Sequence, residues 1–282
     1  MTLANDSTML LYQQAARLIN EADGLLITAG AGMGVDSGLP DFRGREGFWK
    51  AYPALAKAGL DFQQIASPAT FRTNPKLAWG FYGHRLNLYR STLPHDGFRI
   101  LLELADTMPK GAFVFTSNVD RQFQRAGIRD NEVCEVHGSI HHLQCLNGCA
   151  GDIWSANDFS PEIDEENCLL VNGFPLCPHC KGIARPNILM FYDSGWLEFR
   201  YRIQNHAFER WISKVERPVV IELGAGSSIP TVRKVGQQAN GPMIRINPRE
   251  YQVPRSTDIS LPVGALEGLQ GIAVALGAPT TM

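Results

Sequence analysis

The sequence lacks the features of several large classes of protein. Its 282 residues contain no apolar run close in length to the roughly 18–20 residues that a membrane-spanning helix needs. The first ten residues contain no basic stretch followed by an apolar core, so we expect no secretory signal. Neither sign of charge is in excess, with 26 Lys and Arg against 28 Asp and Glu, which argues against a nucleic-acid partner. We therefore expect a soluble, cytoplasmic protein that binds neither membranes nor nucleic acid, and its oligomeric state stays open.

The composition is that of a globular chain. Hydrophobic residues make up 44% and charged residues 19% of the sequence, which argues against global disorder. At roughly 150 residues per domain, the length suggests two structural units. A chain of this size can bury a full core without disulfide bonds.

Short apolar runs alternate with helical patterns along most of the chain. An amphipathic helix is predicted over residues 8–22 from its helical spacing of apolar side chains. Runs rich in Val and Ile predict buried parallel strands at 25–28, 112–118, 218–226 and 242–247. Further helices are predicted at 98–108, at 208–215 and near the carboxyl end, over 261–276. This alternation predicts an α/β fold with a doubly wound, mostly parallel sheet of the Rossmann type.

Two segments interrupt the alternation. Residues 44–93 are rich in aromatic residues, Gly and Pro, with helical patches, and residues 143–185 contain paired cysteines. We interpret them as a helical insertion and a metal-binding module that together form a smaller second domain. The Rossmann-type domain would then comprise residues 1–43, 94–142 and 186–282.

Four of the six cysteines form two close pairs, Cys145 with Cys149 and Cys177 with Cys180. In a chain without a secretory signal, paired cysteines indicate a metal before disulfides. Four thiolates would close the tetrahedral coordination of one structural Zn²⁺. Alternative ligands are Cys168, His141 and His179. The remaining cysteine, Cys134, lies in a predicted strand and is expected in the core.

A glycine-rich loop follows the first predicted strand and begins Gly30-Ala31-Gly32. Such loops let backbone N–H groups approach a pyrophosphate, beside the N-terminus of a following helix. An ordinary tight turn would have the same composition. The residues Asp41, Phe42 and Arg43 then place an acid, an aromatic ring and a fixed cation close to the loop.

These residues resemble the sirtuins, a family of NAD-dependent protein lysine deacylases, in a bacterial-type form. The resemblance extends over about residues 10–275, in family order. Besides residues 30–44, the matching segments are 116–120, 125–127, 136–138, 185–191, 224–227 and 246–247, together with the cysteine pairs. Ser117 departs from the family pattern, which has Gln there, and Tyr192-Asp193 stands where the family has Gly-Glu.

The resemblance implies a role for each matching residue. His137 would be the general base, and Asn118 and Asp120 would act beside it. In the sirtuin scheme the acyl oxygen attacks C1′ of the nicotinamide ribose, nicotinamide leaves, and the histidine then activates a ribose hydroxyl. Deacylated lysine and acyl-ADP-ribose are formed. The cofactor-binding residues would be Gly30, Ala31, Gly32, Asp41, Phe42, Arg43, Ser117, Asn118, Asp120, Gly224, Ser227 and Asn247.

Tyr82 and Arg85 are spaced to share one face of a helix. Sirtuins that remove succinyl or malonyl groups have a similar Tyr-x-x-Arg, which implies that these side chains hold an acyl carboxylate. The alternative is an aromatic helix face packed in the core. Ile188 and Phe191 would also contact the substrate.

The resemblance therefore implies an NAD-dependent protein lysine deacylase, acting as a deacetylase, a desuccinylase or a demalonylase. Its cofactors would be NAD, as co-substrate, and one structural Zn²⁺, and its partner an acylated lysine on a protein. The alternatives are a sirtuin-like mono-ADP-ribosyltransferase and an NAD hydrolase or nucleotide-sensing module.

Overall fold

A computed structural model describes residues 6–41 and 44–277. The helices are α1 Asp6–Glu21, α2 Gly44–Ala51, α3 Pro53–Lys57, α4 Phe62–Ile65, α5 Pro68–Thr73, α6 Pro75–Ser91, α7 Asp96–Thr107, α8 Gln122–Arg125, α9 Phe199–Ile212, α10 Thr231–Gln238 and α11 Ala265–Ala275. The strands are β1 Gly24–Ala29, β2 Ala112–Thr116, β3 Val133–Glu135, β4 Gly138–Cys145, β5 Ile153–Ser155, β6 Ile163–Asp164, β7 Leu169–Leu170, β8 Ala184–Ile188, β9 Pro218–Leu223, β10 Met243–Ile246 and β11 Ile259–Leu261.

Six strands form a parallel sheet in the order β11-β10-β9-β1-β2-β3. The chain builds this sheet outward from β1 in one direction and then returns to add β9, β10 and β11 on the other side. Every residue of β1, β2, β9 and β10 is buried, which explains their continuous apolar runs. The predicted doubly wound α/β fold is confirmed.

Helices cover both faces of this sheet. Side chains alternate across it, so Leu25 and Ile27 of β1 join one apolar cluster and Leu26 joins another. The first cluster includes buried residues of α1, α7 and α11, and the second includes Val232 of α10 and side chains of α9. Burial on both sides makes the sheet a rigid support for the loops at its edge.

The remaining elements form a third apolar cluster, which is rich in aromatic rings. It contains Phe48, Phe71, Trp79, Phe81 and Tyr82, all buried. The Trp79 indole N–H donates to the Ala184 carbonyl over 2.9 Å, which joins α6 to the antiparallel sheet β5-β4-β8. The division into two domains stays a prediction. Strands β4 and β8 extend across its predicted boundaries at 142/143 and 185/186.

Several elements differ from the sequence prediction. The glycine loop continues into a 3₁₀ helix, Ala31–Ser37, instead of an α-helix. The helix predicted at 208–215 begins nine residues earlier, at Phe199. Its first turns were missed because Phe199 and Ile203 are exposed, so the apolar pattern there does not follow burial. Within the residues that the structure describes, no helix is long and apolar enough to cross a membrane.

Candidate active site

A cavity of about 980 Å³ lies at the carboxyl ends of the central strands. Gly30 follows β1, Ser117 follows β2 and Gly224 follows β9, and all three line the cavity. The strand order reverses at β1, and open α/β sheets bind ligands at such a reversal. Topology alone therefore makes this crevice the first candidate for a ligand site.

The two glycine loops contact each other at the cavity floor. The Gly30 N–H donates to Leu223 O over 3.0 Å, and the Gly32 N–H donates to Gly224 O over 3.1 Å. A Cβ on Gly32 would lie only 2.6 Å from the Gly224 Cα, and Gly224 has a φ of 55°. Both positions therefore need glycine. Gly30 serves the same packing, because a Cβ there would lie 2.8 Å from the Ala225 Cα, and Gly30, Ala31 and Gly224 line the cavity.

The cavity brings together most of the predicted cofactor-binding residues. Its lining includes Gly30, Ala31, Asp41, Ser117, Asn118, Asp120 and Gly224. Gly32, Ser227 and Asn247 are not among the described residues that line it. Phe42 and Arg43 lie outside the described residues.

Asn247 is hydrogen-bonded to the second glycine loop, which follows β9 and begins at Gly224. Its side chain is buried, its Nδ2 donates to Ala225 O over 3.0 Å, and its Oδ1 accepts the N–H groups of Arg249 and Glu250. These bonds fix the loop that carries Gly224. Asn247 thus acts on the cavity through the backbone.

Asn118 is held beside the first glycine loop. The Thr116 hydroxyl donates to Ala29 O and accepts the Asn118 N–H, while the Asn118 Nδ2 donates to Gly30 O over 3.0 Å. This chain of bonds joins the ends of β1 and β2. It orients the amide at the cavity wall before any ligand binds.

His137 lies between β3 and β4 and lines the same cavity. Burial lowers the pKa of its imidazole, and a hydrogen bond to the Ser117 backbone opposes this effect. The imidazole is therefore neutral at pH 7 and can accept a proton. Its backbone carbonyl accepts the Leu189 N–H over 2.9 Å, which ties it to the segment after β8.

Asp120 is buried, and its Oδ1 accepts the Gln122 N–H over 2.9 Å. Burial raises the pKa of its carboxyl to about 6, although this N–H bond and the charge of Arg85 favour ionisation. A buried carboxyl with a raised pKa beside a cleft is typical of a functional site. The predicted pair of Asn118 and Asp120 thus lies with His137 in one cavity.

Tyr82 and Arg85 also line this cavity, from α6. Arg85 donates from Nε and Nη2 to the Tyr89 hydroxyl over 3.0 and 2.8 Å, and its guanidinium lies 5.2 Å from the centre of the Phe81 ring. Tyr82 is 1% exposed and Arg85 7% exposed. The helix face is therefore packed in the core, and it also borders the cavity.

Sequence reasoning missed part of the cavity wall. Tyr89 could have been found, since it continues the face of Tyr82 and Arg85 at helical spacing. Ile188 and Phe191, the two predicted substrate contacts, line the cavity. Leu189 and Met190, which lie between them, line it as well. Other missed lining residues are Leu39, Pro40, Asp61, Phe62, Gln63, Ala66, Val119, Gly226, Ser228, Ile229, Val232 and Glu250.

The four paired cysteines converge at the far end of β4. Their sulfur atoms all lie within 4.8 Å of one another, with Cys145 Sγ 3.7 Å from Cys180 Sγ and Cys149 Sγ 3.5 Å from Cys177 Sγ. Four sulfurs at about 2.3 Å from a tetrahedral Zn²⁺ would be roughly 3.8 Å apart, so the cluster fits this ion. The alternative ligands Cys168, His141 and His179 are not part of the cluster among the described residues.

A sequence model of the Sir2 family matches residues 30–216, which is more than half of the chain. The chain belongs to the Sir2 family. It is 27% identical to an NAD-dependent protein deacylase of Aquifex aeolicus, over 88% of this chain and 93% of the relative. It is 26% identical to one of Thermococcus sibiricus, over 94% of this chain and 96% of the relative.

Solved Sir2 structures share the fold. A mutant Sir2 homologue in complex with ADP-ribose superposes with a TM-score of 0.69 at 23% identity, covering 95% of this chain and 99% of that chain. A Sir2 homologue in complex with NAD gives a TM-score of 0.68 at 23% identity, covering 94% of each chain.

One departure of this Sir2 chain from the family pattern is accommodated by an ion pair. Arg185 forms two hydrogen bonds with the Asp193 carboxylate, over 2.7 and 2.9 Å, and both side chains are buried. The Asp193 carboxylate also accepts the N–H groups of Met190 and Gly195. The Asp193 carboxylate therefore anchors the turn after Phe191.

Proposed function

We propose that this Sir2 chain is an NAD-dependent protein lysine deacylase that passes the acyl group to ADP-ribose and releases nicotinamide. One observation carries the proposal: a half-buried, neutral His137 shares a single cavity with both glycine loops at the strand reversal. The relatives named as NAD-dependent protein deacylases match over nearly the whole chain and support it. Solved Sir2 homologues in complex with NAD and ADP-ribose are consistent with it.

The residues present fit NAD. When bound, NAD supplies a glycosidic bond from which nicotinamide can leave. The loops at Gly30, Ala31 and Gly224 would hold its pyrophosphate, because these residues line the cavity with short side chains or none, so that the ligand can approach the loop backbone. Asn118 and Asp120 would orient its ribose. His137 would take a proton from a ribose hydroxyl at the ring nitrogen that is not bonded to Ser117.

The test is incubation of the protein with NAD and peptides that carry acetyl-, succinyl- or malonyl-lysine. Peptide mass and labelled ADP-ribose are followed together. Loss of the acyl mass with formation of acyl-ADP-ribose would support deacylation. Labelled ADP-ribose on protein with an unchanged peptide would instead support an ADP-ribosyltransferase, and free ADP-ribose alone would support an NAD hydrolase.

We further propose that the preferred acyl groups are acidic. Tyr82 and Arg85 line the cavity that contains His137, and Tyr89 fixes the orientation of the guanidinium. A guanidinium binds a carboxylate through paired, charge-assisted hydrogen bonds. In the same peptide panel, succinyl- or malonyl-lysine should therefore have a lower KM than acetyl-lysine.

We also propose that Cys145, Cys149, Cys177 and Cys180 bind one structural Zn²⁺. Four thiolates leave no coordination position for a reacting water. The thiols must stay reduced to hold the ion, which supports a reducing, cytoplasmic location.

A further inference from the structure

Tyr192 adopts a backbone conformation that tyrosine rarely adopts. Its φ is 57°, in the left-handed region, and its side chain is 88% exposed. An aromatic residue at positive φ is a conformational outlier and costs about 1–3 kcal/mol. No packing of the ring compensates for this strain, because the ring is almost entirely in solvent.

Both neighbours of Tyr192 are fixed, so the strain cannot relax. On one side, the Phe191 N–H donates to Ala66 O over 2.9 Å. On the other side, Asp193 is held by its two hydrogen bonds with Arg185. The backbone between these anchors must turn at residue 192, and the turn directs the tyrosine ring outward. Glycine would adopt this φ without strain.

A groove of about 390 Å³ lies next to the exposed ring. Phe191 and Tyr192 line one side of it, and residues 67–70, 72 and 73, around α5, line the other. Asp61, Gln63 and Phe191 line both this groove and the active-site cavity, so the two are adjacent.

The adjacency of the groove and the cavity indicates what occupies the groove. This step depends on the proposed function, because an acylated lysine that reaches His137 brings its neighbouring residues to the mouth of the cavity. The groove is lined by one carboxylate, Asp61, and one guanidinium, Arg72, so its charges balance and favour no charged residue. The other lining side chains are uncharged, and the exposed Tyr192 ring on one side with Pro68 and Ala69 on the other favours an apolar side chain.

We propose that Tyr192 is a specificity-determining residue, whose ring packs in this groove against an apolar side chain that flanks the acylated lysine of the protein substrate. The strained tyrosine lowers the stability of the free protein and contributes to peptide binding.

The test is the Tyr192→Gly variant, examined by melting temperature and by KM. Relief of the strain should raise the melting temperature by about 2–4 °C. Loss of the ring should raise the KM for an acyl-lysine peptide with flanking Leu or Phe by about threefold to tenfold, since partial burial of an aromatic ring is worth that much. The KM for the same peptide with flanking Gly should change far less.

Two further variants sharpen the test. Tyr192→Phe retains the ring and should retain the low KM of the wild type and its lower melting temperature. Phe199→Ala removes another exposed aromatic ring that lines neither cavity, and it should leave the KM for both peptides unchanged. A Tyr192→Gly protein that melts higher but shows the same KM as the wild type for the Leu- or Phe-flanked peptide would overturn the inference and leave the deacylase proposal standing. A wild type that deacylates none of the peptides would overturn both.

Discussion

His137, His141 and His142 lie close together in the sequence, but their surroundings give them different chemistry. Only His137 lines the active-site cavity among these three described residues. The His141 Nε2 is hydrogen-bonded to Asp120 O over 3.1 Å, and burial lowers its pKa to about 4. Burial lowers the pKa of His142 to about 3. A base must be both neutral and accessible to the substrate, and His137 meets both conditions.

Replacing His137 with Ala should abolish deacylation and leave the fold intact, because the acyl-transfer step loses its base. We expect a loss of at least about a hundredfold in kcat, as for a general base, measured as acyl-ADP-ribose formed per minute. Nicotinamide release should persist, since the histidine acts after that step. His206→Ala, at an exposed position on α9, is the control and should be fully active. Full deacylation by a folded His137→Ala protein would remove the histidine from the mechanism.

Asp120 makes the stability depend on pH in a direction unusual for a carboxyl group. Its pKa rises from 3.8 to about 6 on folding, so the native state holds the proton more tightly than the unfolded chain does. The stability contributed by the protonated form is fully present below about pH 4 and is lost as the pH rises through about 6. The free energy of unfolding should therefore fall over this range by about 1–3 kcal/mol.

The Asp120→Asn variant should lack this fall, which urea titrations between pH 4 and 7 would measure. The control is the exposed Asp158→Asn variant, which should follow the wild-type curve. Identical pH profiles of wild type and Asp120→Asn would show that Asp120 does not titrate in this range.

Arg85→Met should weaken the binding of peptides with acidic acyl groups and should not weaken that of peptides with neutral acyl groups. Loss of a charge-assisted pair worth about 1.5–3 kcal/mol should raise the KM for succinyl-lysine by roughly tenfold to a hundredfold. The contact is remote from the breaking bond, so KM should change more than kcat. Acetyl-lysine turnover should be unchanged or improved. Arg202→Met, on the exposed side of α9, is the control. Equal effects of Arg85→Met on both substrates would remove the case for an acidic-acyl pocket.

At the scale of elements, β4 connects the proposed base to the proposed metal site. It begins at Gly138, directly after His137, and ends at Cys145. Its partner β8 pairs Gly138 with Ile188 at the cavity end and Cys145 with Ala184 at the cysteine end. These two paired strands therefore join the cysteine cluster to the cavity wall.

Loss of zinc should thus inactivate the enzyme from a distance. We expect one Zn²⁺ per chain by elemental analysis, and Cys149→Ser should lose it, lower the melting temperature and reduce deacylation. Cys134→Ala, in β3, should retain one zinc and serves as the control. A metal-free protein with unchanged stability and activity would exclude the site.

The elements that the sequence predicted well are those whose apolar pattern follows burial directly. Strands β1, β2, β9 and β10 are buried throughout, and the glycine loops follow β1 and β9 in the chain. The sequence does not predict helices α2 to α5 one by one. Each has eight residues or fewer, and each is ordered by packing in the aromatic cluster instead of by an apolar periodicity of its own. The cavity wall contributed by Phe62, Gln63 and Ala66 depends on that packing, so no local motif identified it.

At the scale of the whole molecule, the cavity is built from parts of the chain that are distant in sequence. Gly30 and Gly224 come from the parallel sheet, Tyr82 and Arg85 from α6, and Ile188 from the antiparallel sheet. A ligand that fills such a cavity contacts several elements at once. Its binding should therefore stabilise the molecule as a unit.

ADP-ribose should raise the melting temperature of the whole protein in one cooperative transition. At a free concentration of a hundred times its Kd, a ligand that binds only the folded state adds about 2.7 kcal/mol to the free energy of unfolding. At about 2–4 °C per kcal/mol for a chain of this size, the shift should be roughly 5–10 °C. Differential scanning calorimetry over a range of ADP-ribose concentrations would measure it.

Ribose 5-phosphate at the same concentrations is the control. It lacks the pyrophosphate that the loops at Gly30 and Gly224 would hold, so its shift should be much smaller. A transition that splits in two, with only one part moved by ADP-ribose, would show that the ligand contacts one sheet alone. Equal shifts with both compounds would show that the glycine loops do not recognise pyrophosphate, because the second phosphate and the adenosine would then add nothing to binding.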